Sequence, residues 1–266
     1  MQCDFLYQSR SDRPNATICF VHGITGDQHY TWTYKRLLSR QSLFWPAALA
    51  DDFPDADILN VSYDSHLFRP NHLSLDDFTQ QLIALLEEKN RSDNIIFICH
   101  SMGGLIAKNV FRLISVNPGN STLGPVFFHY IFFATPHLGA ASQFDSYAHF
   151  FRGRLTYQWL LSVNEQLSRI NRDFLEYINK YNIQVECFIE TLPYLPYKLN
   201  AITYYYFGFI IVERDSASLP MARNIGVYAD HVDVCKLNNK TSDVYFRIKS
   251  IINNVCYSEF SRLRPI

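Results

Sequence analysis

The feature that most constrains the fold lies between residues 94 and 116, where Asn94-Ile95-Ile96-Phe97-Ile98 runs into Cys99-His100-Ser101-Met102-Gly103-Gly104 and then into a helical pattern. A run so continuously apolar and β-branched predicts a strand buried on both faces, which needs helices above and below it. Together with 94–99, the runs 17–21, 56–63 and 126–134 have this character and alternate with helical segments. That alternation predicts an α/β fold with a mostly parallel central sheet, helices on both faces and a helical insertion or cap. Ligands of such sheets sit at the carboxyl ends of the strands, so chemistry is sought there.

The clearest helix spans 74–90, with Ser74 as N-cap, Asp77 in a capping-box position and Phe78, Leu82, Leu85 and Leu86 on one face. A second runs from about 103 to 116 and stops at Asn117-Pro118-Gly119. In the segment 142–182 the second half is helical, with Leu160, Val163, Leu167, Ile170, Phe174 and Ile178 recurring at three and four. No repeat or low-complexity tract divides the chain, so a single domain over 1–266 is expected, with cap or lid insertions at about 141–182 and 193–208.

With 24 Lys plus Arg against 25 Asp plus Glu in 266 residues, the chain lacks the basic excess that a nucleic-acid backbone demands. Six cysteines lie far apart without C-x-x-C spacing and are read as reduced, mostly buried thiols. The first residues hold no apolar signal region, and the longest greasy stretch, 201–212, is too short to span a bilayer and reads as a strand. A chain delivered without a Sec-type signal, free in solution or peripheral at a membrane, is the expectation. No H-E-x-x-H pattern or phosphate loop is present, and neither a metal nor a cofactor is expected.

Strand, His100-Ser101-Met102-Gly103-Gly104 and helix, in that order, form the context of a nucleophile elbow. The turn is so tight that residues two before and two after the serine must be small. Gly103 meets this; Cys99 stands where glycine is usual. Ser101 at the helix N-terminus is favourably placed for an anion, with the Met102 amide as one oxyanion donor. After the first buried run, His22-Gly23-Ile24-Thr25-Gly26 supplies a glycine-bearing loop whose Ile24 amide is the second donor, with His22 and Gly23 supporting the turn.

A serine hydroxyl needs a neutral imidazole to take its proton, and of nine histidines only His231 follows late enough to sit after the last strand. His137, in Thr135-Pro136-His137, is read as shaping the pocket. An acid must hold the imidazole. Glu190, ending the run 184–189, fits best; Asp215, after the run 209–212, is the alternative, and Asp230 is too close to His231 in sequence.

With these residues in place, the chain resembles the lipase-like domain of serine-active-site-containing proteins, a branch of the α/β hydrolases. The resemblance rests on His22-Gly23-Ile24-Thr25-Gly26, Thr31-Trp32, Trp45-Pro46, Asp52-Phe53-Pro54, Tyr63-Asp64, His100-Ser101-Met102-Gly103-Gly104-Leu105, Thr135-Pro136-His137-Leu138-Gly139, Glu190-Thr191-Leu192-Pro193, Asp215-Ser216-Ala217, Asp230-His231 and Cys235-Lys236. It implies an α/β-hydrolase fold, Ser101 as nucleophile, His231 as base, and a lipid or other acyl ester as substrate. The acid stays divided between Glu190 and Asp215. Expected is an esterase or lipase working through an acyl-enzyme, with an acyltransferase or thioesterase, or a non-catalytic lipid- or protein-binding module, as competing readings. An acyl-pocket lining or peripheral membrane contact enters through the aromatic stretch 193–209, a kind of stretch that more often forms core.

Overall fold

The computed structural model describes residues 1–24, 26–35, 42–65, 73–116, 121–123, 126–140, 165–194 and 208–257. Strands β2 (Ala16–Val21), β5 (Ala56–Ser62), β6 (Asn94–His100), β7 (Phe127–Phe133), β8 (Val185–Glu190) and β9 (Arg223–Val227) run parallel, and β1 (Gln2–Tyr7) joins antiparallel to β5. The sheet order is β1-β5-β2-β6-β7-β8-β9. Short strands β3 (Thr33–Lys35) and β4 (Ser42–Phe44) pair apart from it. The helices are α1 (Trp45–Asp52), α2 (Leu75–Lys89), α3 (Met102–Val116), α4 (Glu165–Lys180), α5 (Arg214–Ala217) and α6 (Asp243–Tyr257).

Strand side chains alternate between two cores. Cys19, Val21, Phe97, Cys99, Tyr130 and Phe132 pack with Phe78 and Leu82 of α2, Leu105 and Ile106 of α3, and Ile170 and Phe174 of α4. Ile18, Phe20, Ile96, Ile98, Ile131 and Phe133 pack on the other face with Trp45 and Leu49 of α1 and Tyr245, Ile248 and Ile252 of α6. This double cover is why the strands carry no polar face. Phe97 stacks on Phe128 and Tyr130, with centroids 5.8 and 5.6 Å away. Truncating so enclosed a ring leaves a cavity and costs about 3–5 kcal/mol.

Helix α2 starts where its cap directs. Ser74 Oγ accepts the Asp77 amide at 3.1 Å while Asp77 Oδ2 accepts the Ser74 amide at 2.7 Å, the reciprocal capping box. Cys19, Cys99, Cys187, Cys235 and Cys256 are buried and Cys3 half-buried, and all six are free thiols. No helix among the described residues is long and apolar enough to cross a membrane.

The expected strand over 201–212 is corrected where it is described. Residues 201–207 lie outside the described segments; in 208–212 only Phe209 forms an isolated bridge, to Tyr194. The amides of Ile211 and Val212 go to the Glu190 carboxylate and so are lost to any ladder. Of the expected insertions, α4 accounts for the helical half of 141–182, while 141–164 and most of 193–208 lie outside the described residues.

Candidate active site

The site gathers at the carboxyl ends of β2, β6, β8 and β9. At the end of β6, Ser101 adopts φ 52°, a left-handed conformation that L side chains avoid at about 1–2 kcal/mol. Its amide donates to the Phe133 carbonyl at 2.9 Å and its carbonyl accepts the Gly104 amide at 3.0 Å, which fix the turn. A Cβ on Gly103 would lie 2.5 Å from the His22 carbonyl oxygen and closer still to that of Val21. Only hydrogen fits there. Cys99, on the other side of the turn, is buried in the core shared with α2 and α3.

Gly23 presses the loop after β2 against the elbow: a Cβ there would stand 2.6 Å from Ser101 Cβ. The loop is braced from below. Tyr63 Oη donates to the His22 carbonyl at 2.5 Å, its ring stacks on His22 at 4.3 Å, and Ser65 Oγ donates to the Gly26 carbonyl at 3.3 Å. Ile24 follows Gly23 and is half-buried beside the serine turn. Met102 is the first residue of α3, so its amide has no acceptor within the helix.

His231 lies beyond β9, where the Ala229 carbonyl accepts the amides of Thr191 and Leu192 and thereby ties this loop to the end of β8. Its Nδ1 is 2.5 Å from Glu190 Oε2 and its Nε2 is 3.0 Å from Ser101 Oγ. A carboxylate only accepts, so the proton sits on Nδ1, and the bare Nε2 accepts from the Ser101 hydroxyl. Ser101, His231 and Glu190 are all buried. Glu190 Oε1 accepts the Ile211 and Val212 amides at 2.7 and 2.8 Å, which supplies the carboxylate with the donors its burial requires.

Asp215 is not brought to this chain of bonds; it is exposed on α5, and the segment before it contributes backbone amides instead. Asp230 accepts the Val232 and Asp233 amides at 3.0 and 2.9 Å and shapes the turn that carries His231. His137 is turned away from the serine. Its Nδ1 accepts from Lys108 Nζ at 3.2 Å, its Nε2 is 3.8 Å from Cys187 Sγ, and its amide donates to the Ser216 carbonyl at 2.9 Å. Burial, then the neighbouring Lys108, holds its pKa well below the usual histidine range.

Two participants escape a reading of sequence alone. The peptide 211–212 acts through its backbone, which leaves no residue-type signal. His100 is visible in the elbow, yet its contact is long-range: Nε2 donates to the His231 carbonyl at 2.8 Å.

A parallel sheet with a left-handed serine between β6 and α3, and an imidazole and a carboxylate returned to it from later strands, is the arrangement of α/β hydrolases. The chain belongs to the alpha/beta hydrolase family, whose model matches residues 20–235. Among its relatives is Protein SERAC1, that of Homo sapiens being 28% identical over 271 residues, 92% of this chain and 40% of that protein. SERAC1 of Danio rerio is 27% identical over 272 residues, 93% of this chain and 40% of the relative. This chain thus spans well under half the length of these relatives. Among solved structures, the mature Bacillus licheniformis lipase BlEst2 aligns with TM-score 0.58 at 18% identity, over 93% of this chain and 98% of that one. Phospholipase PlaB of Legionella pneumophila aligns with TM-score 0.53 at 15% identity, over 76% of this chain and 44% of that one. At these identities the structures share the fold.

Proposed function

We propose that this chain is a serine carboxylic-ester hydrolase acting on acyl esters, with lipid esters as the substrate class. The observation that carries the proposal is the buried hydrogen-bond chain from Ser101 Oγ through His231 to Glu190. Ser101 attacks the ester carbonyl as His231 Nε2 takes its proton; the imidazolium stays paired with Glu190. The Ile24 and Met102 amides receive the oxyanion, each worth on the order of a hundredfold or more in rate because the charge exists only in the transition state. His231 returns the proton to the leaving alcohol, and water, activated the same way, releases the acyl group. Gly23, Gly103 and His22 hold the geometry, and His137 supports the turn after β7 from within the core. No step calls on a metal or cofactor.

Lipid enters the proposal through the lipase and phospholipase among the similar folds. Contact with a lipid surface is part of it. Tyr228, three residues before His231, is 87% exposed, and Leu138, next to His137, is exposed as well. An aromatic ring with a polar tip suits a membrane interface. Turnover of p-nitrophenyl esters of rising acyl length, with and without anionic vesicles, tests the reading. Preference for long chains and stimulation by vesicles support a lipase; best turnover on short chains with no response to vesicles leaves a soluble esterase.

A further inference from the structure

From the nucleophile's own turn, the His100 side chain donates to the backbone of the base loop. We propose that His100 is a positioning residue that holds the peptide of His231 at the height where its ring meets Ser101. This rests on the hydrolase reading above and adds a requirement to it.

A carbonyl can only accept, so the 2.8 Å contact with the His231 oxygen puts the proton of His100 on Nε2. Nδ1 is then a bare acceptor, buried and without a hydrogen-bond partner among the described residues. Leaving such an atom unsatisfied carries a desolvation penalty that an apolar residue of the same size would avoid. The polar ring is kept at a stability cost, and what it delivers is the bond to the base loop. That loop needs it. Asp230 ties the amides of Val232 and Asp233, and the Asp230 carbonyl accepts the Asp233 and Val234 amides, but the His231 carbonyl is taken by the His100 side chain.

Placement follows from the elbow. His100 precedes the left-handed Ser101, so one strained turn sets both the hydroxyl and the donor that fixes its partner. The far side of the ring is walled by Gly23, where a Cβ would come to 3.0 Å from Nδ1, and the His100 and His231 rings sit 5.0 Å apart. His100 therefore links the oxyanion loop, the nucleophile turn and the base loop. Burial, then the neighbouring imidazole, keeps it far below the usual histidine pKa, so it stays neutral beside a base that becomes cationic during turnover.

The test compares wild type with His100→Gln and His100→Leu, measuring kcat and KM on p-nitrophenyl butyrate and secondary structure by circular dichroism. Glutamine carries an amide nitrogen as many bonds from Cβ as Nε2 of histidine; leucine fills the space without a donor. A misplaced base costs roughly 10–100-fold in kcat, so His100→Leu falls by that factor with KM little changed, while His100→Gln regains most of it. Should His100→Leu not fold, His100→Asn, whose amide is too short to reach the carbonyl, takes its place with the same expected fall. A folded donorless variant with wild-type kcat, or a folded His100→Gln as slow as the donorless one, overturns the proposal while leaving the hydrolase reading intact. A wild type that turns over no ester overturns both.

Discussion

Glu190 Oε2 stands 2.5 Å from His231 Nδ1, and its other oxygen is held by two backbone amides, so the carboxylate is fixed as an acceptor aimed at one imidazole nitrogen. A neutral amide at this position would keep the shape and present the wrong group, allowing the imidazole its other tautomer. Glu190→Gln is expected to lower kcat roughly a thousandfold with the fold retained. Asp215→Asn, altering an exposed carboxylate on α5, is expected to leave kcat within about twofold. Steady-state kinetics on both variants checks this; equal losses would move the acid elsewhere.

Gly103 is the tightest point of the elbow. A methyl there collides with backbone of β2, which cannot swing aside as a side-chain end can. Gly103→Ala is expected to cost about 2–4 kcal/mol and to abolish turnover. Gly23→Ala meets Ser101 Cβ most closely, then the His100 ring and the His100 carbonyl oxygen at 3.0 Å, a milder backbone clash than at Gly103, so it is expected to fold and yet lose most activity. Urea unfolding alongside kinetics separates the two outcomes.

Lys108 is buried among neutral partners: His137 Nδ1, Asn171 Oδ1 at 2.6 Å and the face of Phe174 at 4.9 Å. Burial lowers its pKa to about 7. The unfolded chain, with an ordinary lysine, binds more protons between that value and about 10.4, so this group's contribution to stability rises with pH across that window and is lost as pH falls through 7. In Lys108→Met the contribution disappears. The unfolding free energy of wild type relative to Lys108→Met is expected to grow from pH 7 to about 9.5; a constant difference would contradict it.

What a sequence shows of this protein follows from how local each cause is. Strands β2, β5, β6 and β7 are legible because cover on both faces leaves unbroken apolar runs, and α2 because Ser74 and Asp77 mark its start. The relation of Ser101 to its glycines is also local. Choosing between Glu190 and Asp215 is not, since it depends on 211–212 returning across the end of β8 to take up the carboxylate. Edge strand β1, Gln2–Tyr7, alternates polar and apolar residues only as far as Phe5 before Leu6 breaks the alternation, too short a pattern to stand out. Helix α6 is not among the helices expected above, although Tyr245, Ile248, Ile252 and Val255 recur at three- and four-residue spacing.

Ester hydrolysis by this chain requires Ser101 to be an activated nucleophile. Labelling with a fluorophosphonate probe, in wild type, Ser101→Ala and His231→Ala, with the modified peptide mapped by mass spectrometry, reads this directly. Rapid labelling of wild type at Ser101, abolished in Ser101→Ala and reduced to background in His231→Ala, is the predicted result. Folded wild type that resists the probe, or label that persists in His231→Ala, would contradict it.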